Sequence, residues 1–194
     1  MKNIGAPLTT IAATRTQQAV LIFICADFVM FASFYAAYIY LRHLTPVWPT
    51  AFHFPSGLMG VAMTMFLLAG SVLAAVAARQ KDEVVIVRCL AAAVVVWLSF
   101  IFVEAVEWVR LIMEEGVTFR SNPWNVPVFG ASFYLMSGFH VLHVIAGIVY
   151  LTVVAVRIRK YDVGACALYV HFVNVMWLIL FPTIYLSASD LKGL

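Results

Sequence analysis

The chain has 194 residues, of which 64% are hydrophobic and 11% charged, with a mean hydropathy of +1.00. A soluble domain is about 45–50% apolar and about 25% charged, so this composition excludes a soluble enzyme and a nucleic-acid binder. The formal charge of +3, from 12 Lys and Arg against 9 Asp and Glu, carries information through its placement along the chain.

Five apolar stretches follow one another: 17–41, 56–78, 89–109, 126–156 and 163–189. At about 1.5 Å per residue each can cross a hydrocarbon core of about 30 Å as a helix. None alternates apolar and polar residues, as the strands of a membrane barrel must. The predicted fold is all-α: one transmembrane domain over 1–194, a bundle of five helices joined by connections too short for extramembrane domains.

The first stretch exceeds the 7 to 15 apolar residues of a signal peptide. It carries Asp27 and ends in Tyr40, Leu41 and Arg42 instead of a small-residue cleavage site, so it reads as a retained helix. An ionised carboxylate near the bilayer middle costs about 2.5–3.5 kcal/mol on insertion scales. Asp27 must therefore be protonated, paired or hydrated, either as a proton-exchanging group or as a neutral acid bonded to a neighbouring helix. The second stretch carries Gly70, Ala74 and Ala78 at spacing four, a small-residue ridge suited to internal packing or to a subunit interface.

Each of the last three stretches has a polar pair at i, i+3: Glu104 with Glu107, His140 with His143, and His171 with Asn174. Residues three apart share a helix face, so each pair points one way, plausibly into the bundle as a buried polar seam. Pro182, inside the fifth stretch, predicts a kink near its outer end. His171 with His140 or His143 could ligate a haem from two helices, and His140, His143 and Glu107 could be written as three metal ligands. Structural or lipid-contacting histidines are the other possibility. Cys25, Cys89 and Cys166 have no CxxC spacing and read as small apolar side chains.

Lys and Arg set the expected topology. Eight (Lys2, Arg15, Arg79, Lys81, Arg88, Arg157, Arg159, Lys160) fall on the side of the N-terminus and four (Arg42, Arg110, Arg120, Lys192) on the other. The N-terminus is expected in the cytoplasm and the C-terminus outside. The outer connections hold Pro46, Pro49, Pro55, Pro123 and Pro127, with Trp48 and Trp124 as interfacial aromatics.

Two segments carry a family resemblance. Residues 138–147, GFHVLHVIAG, are similar to the fourth-helix motif of subunit III of haem-copper terminal oxidases, and 169–181, YVHFVNVMWLILF, resembles that family's last helix. The similarity extends to 104–108 (EAVEW), to 130–134 (GASFY) and to the acidic residue at Asp27, in order along the chain. The length resembles the short five-helix bacterial form of cytochrome c or quinol oxidase subunit III.

The resemblance implies an accessory subunit of a proton-pumping respiratory oxidase that reduces oxygen to water, in the bacterial inner membrane. It would have no catalytic residue, haem or metal of its own, the haem and copper lying in partner subunits. Its partners would be catalytic subunit I, subunit II, further small subunits and structural phospholipid. Family members hold lipid in a cleft between their first two helices and the rest, support proton uptake, and protect the catalytic subunit from turnover inactivation. Asp27 matches the carbodiimide-reactive mid-membrane carboxylate, and Glu104, Glu107, Trp108, His140, His143, His171 and Asn174 would form the polar seam and lipid cleft. Asn174 stands where the family usually has Asp, which removes an ionisable group, and Val170 where it usually has Trp. A related accessory protein of nitric oxide reductases, or an independent five-helix cytochrome or transporter, are the alternatives.

Overall fold

The computed structural model describes residues 14–49 and 54–186. Five α-helices follow in order: α1 Arg15–Leu44, α2 Phe54–Arg79, α3 Glu83–Met113, α4 Pro127–Val156 and α5 Val163–Phe181. A short π-helical segment, Pro182–Leu186, continues α5. All five are long and apolar enough to cross a membrane, and no strand occurs among the described residues.

The helices outrun the apolar stretches because polar caps, not hydropathy, set their ends. Asp82 caps α3, its carboxylate accepting from Val84 N at 2.9 Å, so the helix starts at Glu83, ahead of the stretch predicted from 89. At the far end α3 continues to Met113, past Arg110, whose guanidinium pairs with Glu115 at 2.5 Å. Regular α-helix stops at Phe181 where the stretch was expected to run to 189; residues 187–189 lie outside those described. Proline lacks the N–H for the next α-helical bond and its ring crowds the preceding turn. The disturbance foreseen at Pro182 takes the form of a wider π-helical turn.

α2 packs on α3 and α5, α3 on α4, and α4 on α5, while α1 lies along α5 and α4. Of the side chains of α1, Asp27, Phe31 and Tyr38 are buried, whereas α5 buries twelve of its nineteen residues. α5 is the central helix and α1 leans on its flank. Trp97 sits at the centre, fully enclosed, between Gly70 of α2 and Gly147 of α4. A Cβ on either glycine would overlap the indole ring, so both positions need a bare backbone. The ridge seen in the sequence is therefore an internal contact at Gly70 and Ala74; Ala78 faces outward, and Ala77 takes the next buried position. Trp48 also differs from expectation: it is buried edge-on between Tyr38 (5.4 Å) and Phe129 (5.6 Å). All three cysteines are free, with Cys166 buried and Cys25 exposed.

Asp162 ties the N-termini of α1 and α5 together. It caps α5 through Ala165 N at 3.1 Å, and accepts from the hydroxyl of Thr14, itself the N-cap of α1, at 2.5 Å. Partial burial opposes its ionisation, but the hydrogen bonds from Thr14, from Ala165 and Gly164 N–H and from Gln17 outweigh this and hold its carboxyl below the usual carboxylate value.

Two expectations follow. Gly70→Leu should lower the thermal unfolding midpoint of the purified protein by an overpacking cost of about 1–3 kcal/mol, whereas Gly57→Leu, whose Cβ would meet nothing within 4 Å, should leave it near wild type. The Asp162 clamp, having a depressed folded value, contributes fully at neutral pH and is lost as pH falls through that value, below about 4. Hydrogen exchange at the Ala165 amide should thus quicken only in acid in the wild type, and already at neutral pH in Asp162→Ala.

Candidate functional site

Asp27 lies on the one face of α1 that meets the bundle and is 8% exposed. Its Oδ2 is 2.8 Å from Nε2 of His143 on α4, the closeness of an ion pair with an angle poorer than a good hydrogen bond's. The other ring nitrogen of His143, Nδ1, is 2.7 Å from the carbonyl oxygen of Phe139. A carbonyl only accepts, so Nδ1 must carry a hydrogen. Two states then satisfy the short contact to Asp27: a protonated carboxyl donating to a neutral imidazole, or an imidazolium facing a carboxylate. Either way one proton is held between α1 and α4. Phe31 and Phe139 pack on the imidazole at 5.2 and 4.6 Å between ring centres, and Tyr169 of α5 donates to the His143 carbonyl at 3.1 Å. The structure gives Asp27 a partner on a neighbouring helix, in either of these two states.

The i, i+3 pairs do not share one continuous seam. His140 turns away from His143 toward α5, its Nε2 3.1 Å from the Val173 carbonyl and its ring between Phe100 and Trp177 at 5.7 and 5.1 Å. His171 is exposed on the outer face of α5, its Nδ1 in contact with the Ser71 hydroxyl of α2, while Asn174 is buried inside. Glu104 and Glu107 both point inward at 2% and 0% exposure. Glu107 Oε2 accepts from the Tyr185 hydroxyl at 2.7 Å, whereas neither oxygen of Glu104 has a hydrogen-bond partner. Trp108 packs edge-on against Tyr134 at 5.6 Å. Glu107 and His140 are enclosed, so a lipid headgroup cannot reach them.

Sequence reasoning missed the partners: Tyr185, Ser71, Tyr169, and Thr64, which accepts from the Trp177 indole at 2.9 Å. The available signal was the polar tip of each aromatic, which inside a membrane span must meet an acceptor. The two-histidine haem geometry is not present, because His140, His143 and His171 are directed to three different partners on α5, α1 and α2. Among the described residues no three His, Cys, Asp or Glu side chains group as metal ligands would.

Fold and site together define a polytopic helical membrane protein whose ionisable side chains meet across helix interfaces. The model of the family "Cytochrome c oxidase subunit III" matches residues 6–189. Proteins named cytochrome c oxidase subunit 3 are similar along most of the chain. The one from Corynebacterium diphtheriae is 28% identical over 201 residues, covering 95% of this chain and 95% of the relative. That of Thermostichus vulcanus is 30% identical over 86% of this chain and 84% of its own length, and that of Synechocystis sp. 28% identical over 86% and 73%. The chain belongs to the cytochrome c oxidase subunit III family.

The Asp27–His143 contact should appear as a coupling energy. Asp27→Leu and His143→Leu each leave a buried polar partner unsatisfied, at about 1–3 kcal/mol. The double variant should be less destabilised than the sum of the two, by about 0.5–3 kcal/mol, in thermal or denaturant unfolding of the purified protein; strict additivity would mean that the contact does not form.

Proposed function

We propose that this chain is the non-catalytic subunit III of a proton-pumping respiratory haem-copper oxidase that reduces oxygen to water. In this reading it sits in the bacterial cytoplasmic membrane with its N-terminus inside, bound beside catalytic subunit I and subunit II, which carry the haem and copper. It supports proton uptake and lengthens the working life of the catalytic subunit. Family membership supports the assembly. The observation that carries the proton-linked part is the 2.8 Å contact between the Asp27 carboxyl and the His143 imidazole inside the bundle. A carboxyl facing an imidazole inside a bundle is suited to proton exchange when a proton enters or leaves the pair as a whole. The eight-to-four distribution of Lys and Arg supports the orientation.

The lipid role rests on a groove between α1 and α5, not on the enclosed carboxyls. Its deeper part, about 270 Å³, is lined by apolar side chains such as Phe28, Ala32, Met136, Met176 and Leu180. Tyr35, Ile39 and Ile179 also line an adjoining space of about 480 Å³ that reaches Arg42 and Thr183. An acyl chain fits the apolar part, with an anionic headgroup at Arg42.

Purification through a tag on this chain should bring down a haem- and copper-containing oxidase. In vesicles holding that complex, Asp27→Asn should lower protons ejected per electron, or shorten survival during turnover, more than it lowers the initial rate of oxygen consumption. Wild-type values for both quantities would remove the proton-linked role and leave Asp27 as a packing residue.

A further inference from the structure

The second concentration of buried ionisable chemistry lies toward the end of α3, away from Asp27. Glu104 and Glu107 occupy the same face one turn apart, and both are enclosed. Tyr185 donates its hydroxyl to Glu107, which makes Glu107 an acceptor. Neither oxygen of Glu104 makes a hydrogen bond of good geometry, although the Trp108 indole N–H lies near it. Among the described residues no cation is paired with Glu104. On α3 itself stand Glu107, Trp108, whose indole Nε1 makes no hydrogen bond, and Arg110, whose guanidinium reaches toward the following connection to pair with Glu115 at 2.5 Å. From α4 come Tyr134 and His140, the latter directing its N–H to Val173. The segment after α5 brings Tyr185, and α2 contains no ionisable side chain before Arg79. The charge that acts on Glu104 is therefore of its own sign, that of Glu107.

A carboxylate without a counter-charge or a well-aligned donor is strongly disfavoured in a low-dielectric interior, and a like charge one turn away disfavours it further. A neutral carboxylic acid meets neither penalty. We propose that Glu104 is a neutral carboxylic acid and that Glu104, Glu107 and Tyr185 form a proton-binding site in the bundle, separate from the Asp27–His143 pair. The two carboxyls hold one proton: losing it would leave two adjacent negative charges, and gaining a second would remove the charge that strengthens the Tyr185 hydrogen bond. This site goes beyond the proposed oxidase role and does not depend on it.

Infrared spectroscopy of the full chain, purified with whatever partners accompany it, tests this through the carbonyl stretch of a protonated carboxylic acid, which lies apart from that of a carboxylate. Between about pH 6 and about pH 9 exposed carboxyls are ionised. The wild type should keep a protonated-acid band across that range. Glu104→Gln should lose it, Glu107→Gln should retain it at a shifted frequency, and Asp27→Asn should leave it in place. An unchanged band in Glu104→Gln would overturn the assignment. Should that variant not accumulate, wild-type protein labelled with carboxyl-¹³C glutamate decides: an isotope-shifted acid band upholds the site, and its absence overturns it.

Discussion

A hydrocarbon interior offers a polar atom no water to bond with, and each group inside a span has to find its partner within the protein. Many of the polar groups here meet the requirement in one of two ways. Several short hydroxyls are satisfied by their own helix: Ser33, Thr64, Ser132 and Thr152 each donate to the carbonyl four residues back, at 2.7 to 2.8 Å. Imidazoles and carboxyls cannot all be served locally and reach a neighbouring helix. Asp27 joins α1 to α4, His140 joins α4 to α5, and Tyr185 joins the end of α5 to α3. Apolar contact distinguishes little between one helix register and another when lipid is equally apolar, so these polar bridges select the arrangement.

Close packing then fixes distances that polar contacts leave loose. Trp97 fills the space opened by Gly70 and Gly147, and Phe181 covers Gly60 in the same manner. Phe100, His140 and Trp177 form a connected group of rings beside it. α1 takes little part in this packing. Besides the aromatic contacts of Phe31, Phe34 and Tyr38, polar contacts hold it: Thr14 with Asp162, Asp27 with His143, and Tyr35 with Thr183 at 2.5 Å. The apolar groove lies between the second and third of these, where the α1–α5 contact opens. The helix bearing the paired carboxyl is also the one whose seating depends most on that pair.

The carboxyls thus divide into groups with different neighbours. Asp27 faces an imidazole whose other nitrogen is already committed to a carbonyl. Glu107 faces a phenol, and Glu104 stands one turn from Glu107 with no hydrogen bond of good geometry. Membership of the cytochrome c oxidase subunit III family implies a complex with catalytic subunits.

The five helices and their order could be read from hydropathy alone, because a span must be continuously apolar for about 20 residues and no other arrangement of this chain satisfies that. The candidate side chains were legible for the same reason: an Asp, two Glu and three His within spans stand out against their background. Helix ends were misjudged by several residues, as at Glu83, because caps lie in the polar flanks that hydropathy averages away. What the sequence could not decide was which polar groups meet. Spacing at i, i+3 puts two residues on one face, but that face is wide enough for His140 to turn to α5 and His143 to α1. The partners Tyr185, Ser71 and the Val173 carbonyl come from elements far away in the chain, and only helix packing brings them within hydrogen-bond reach.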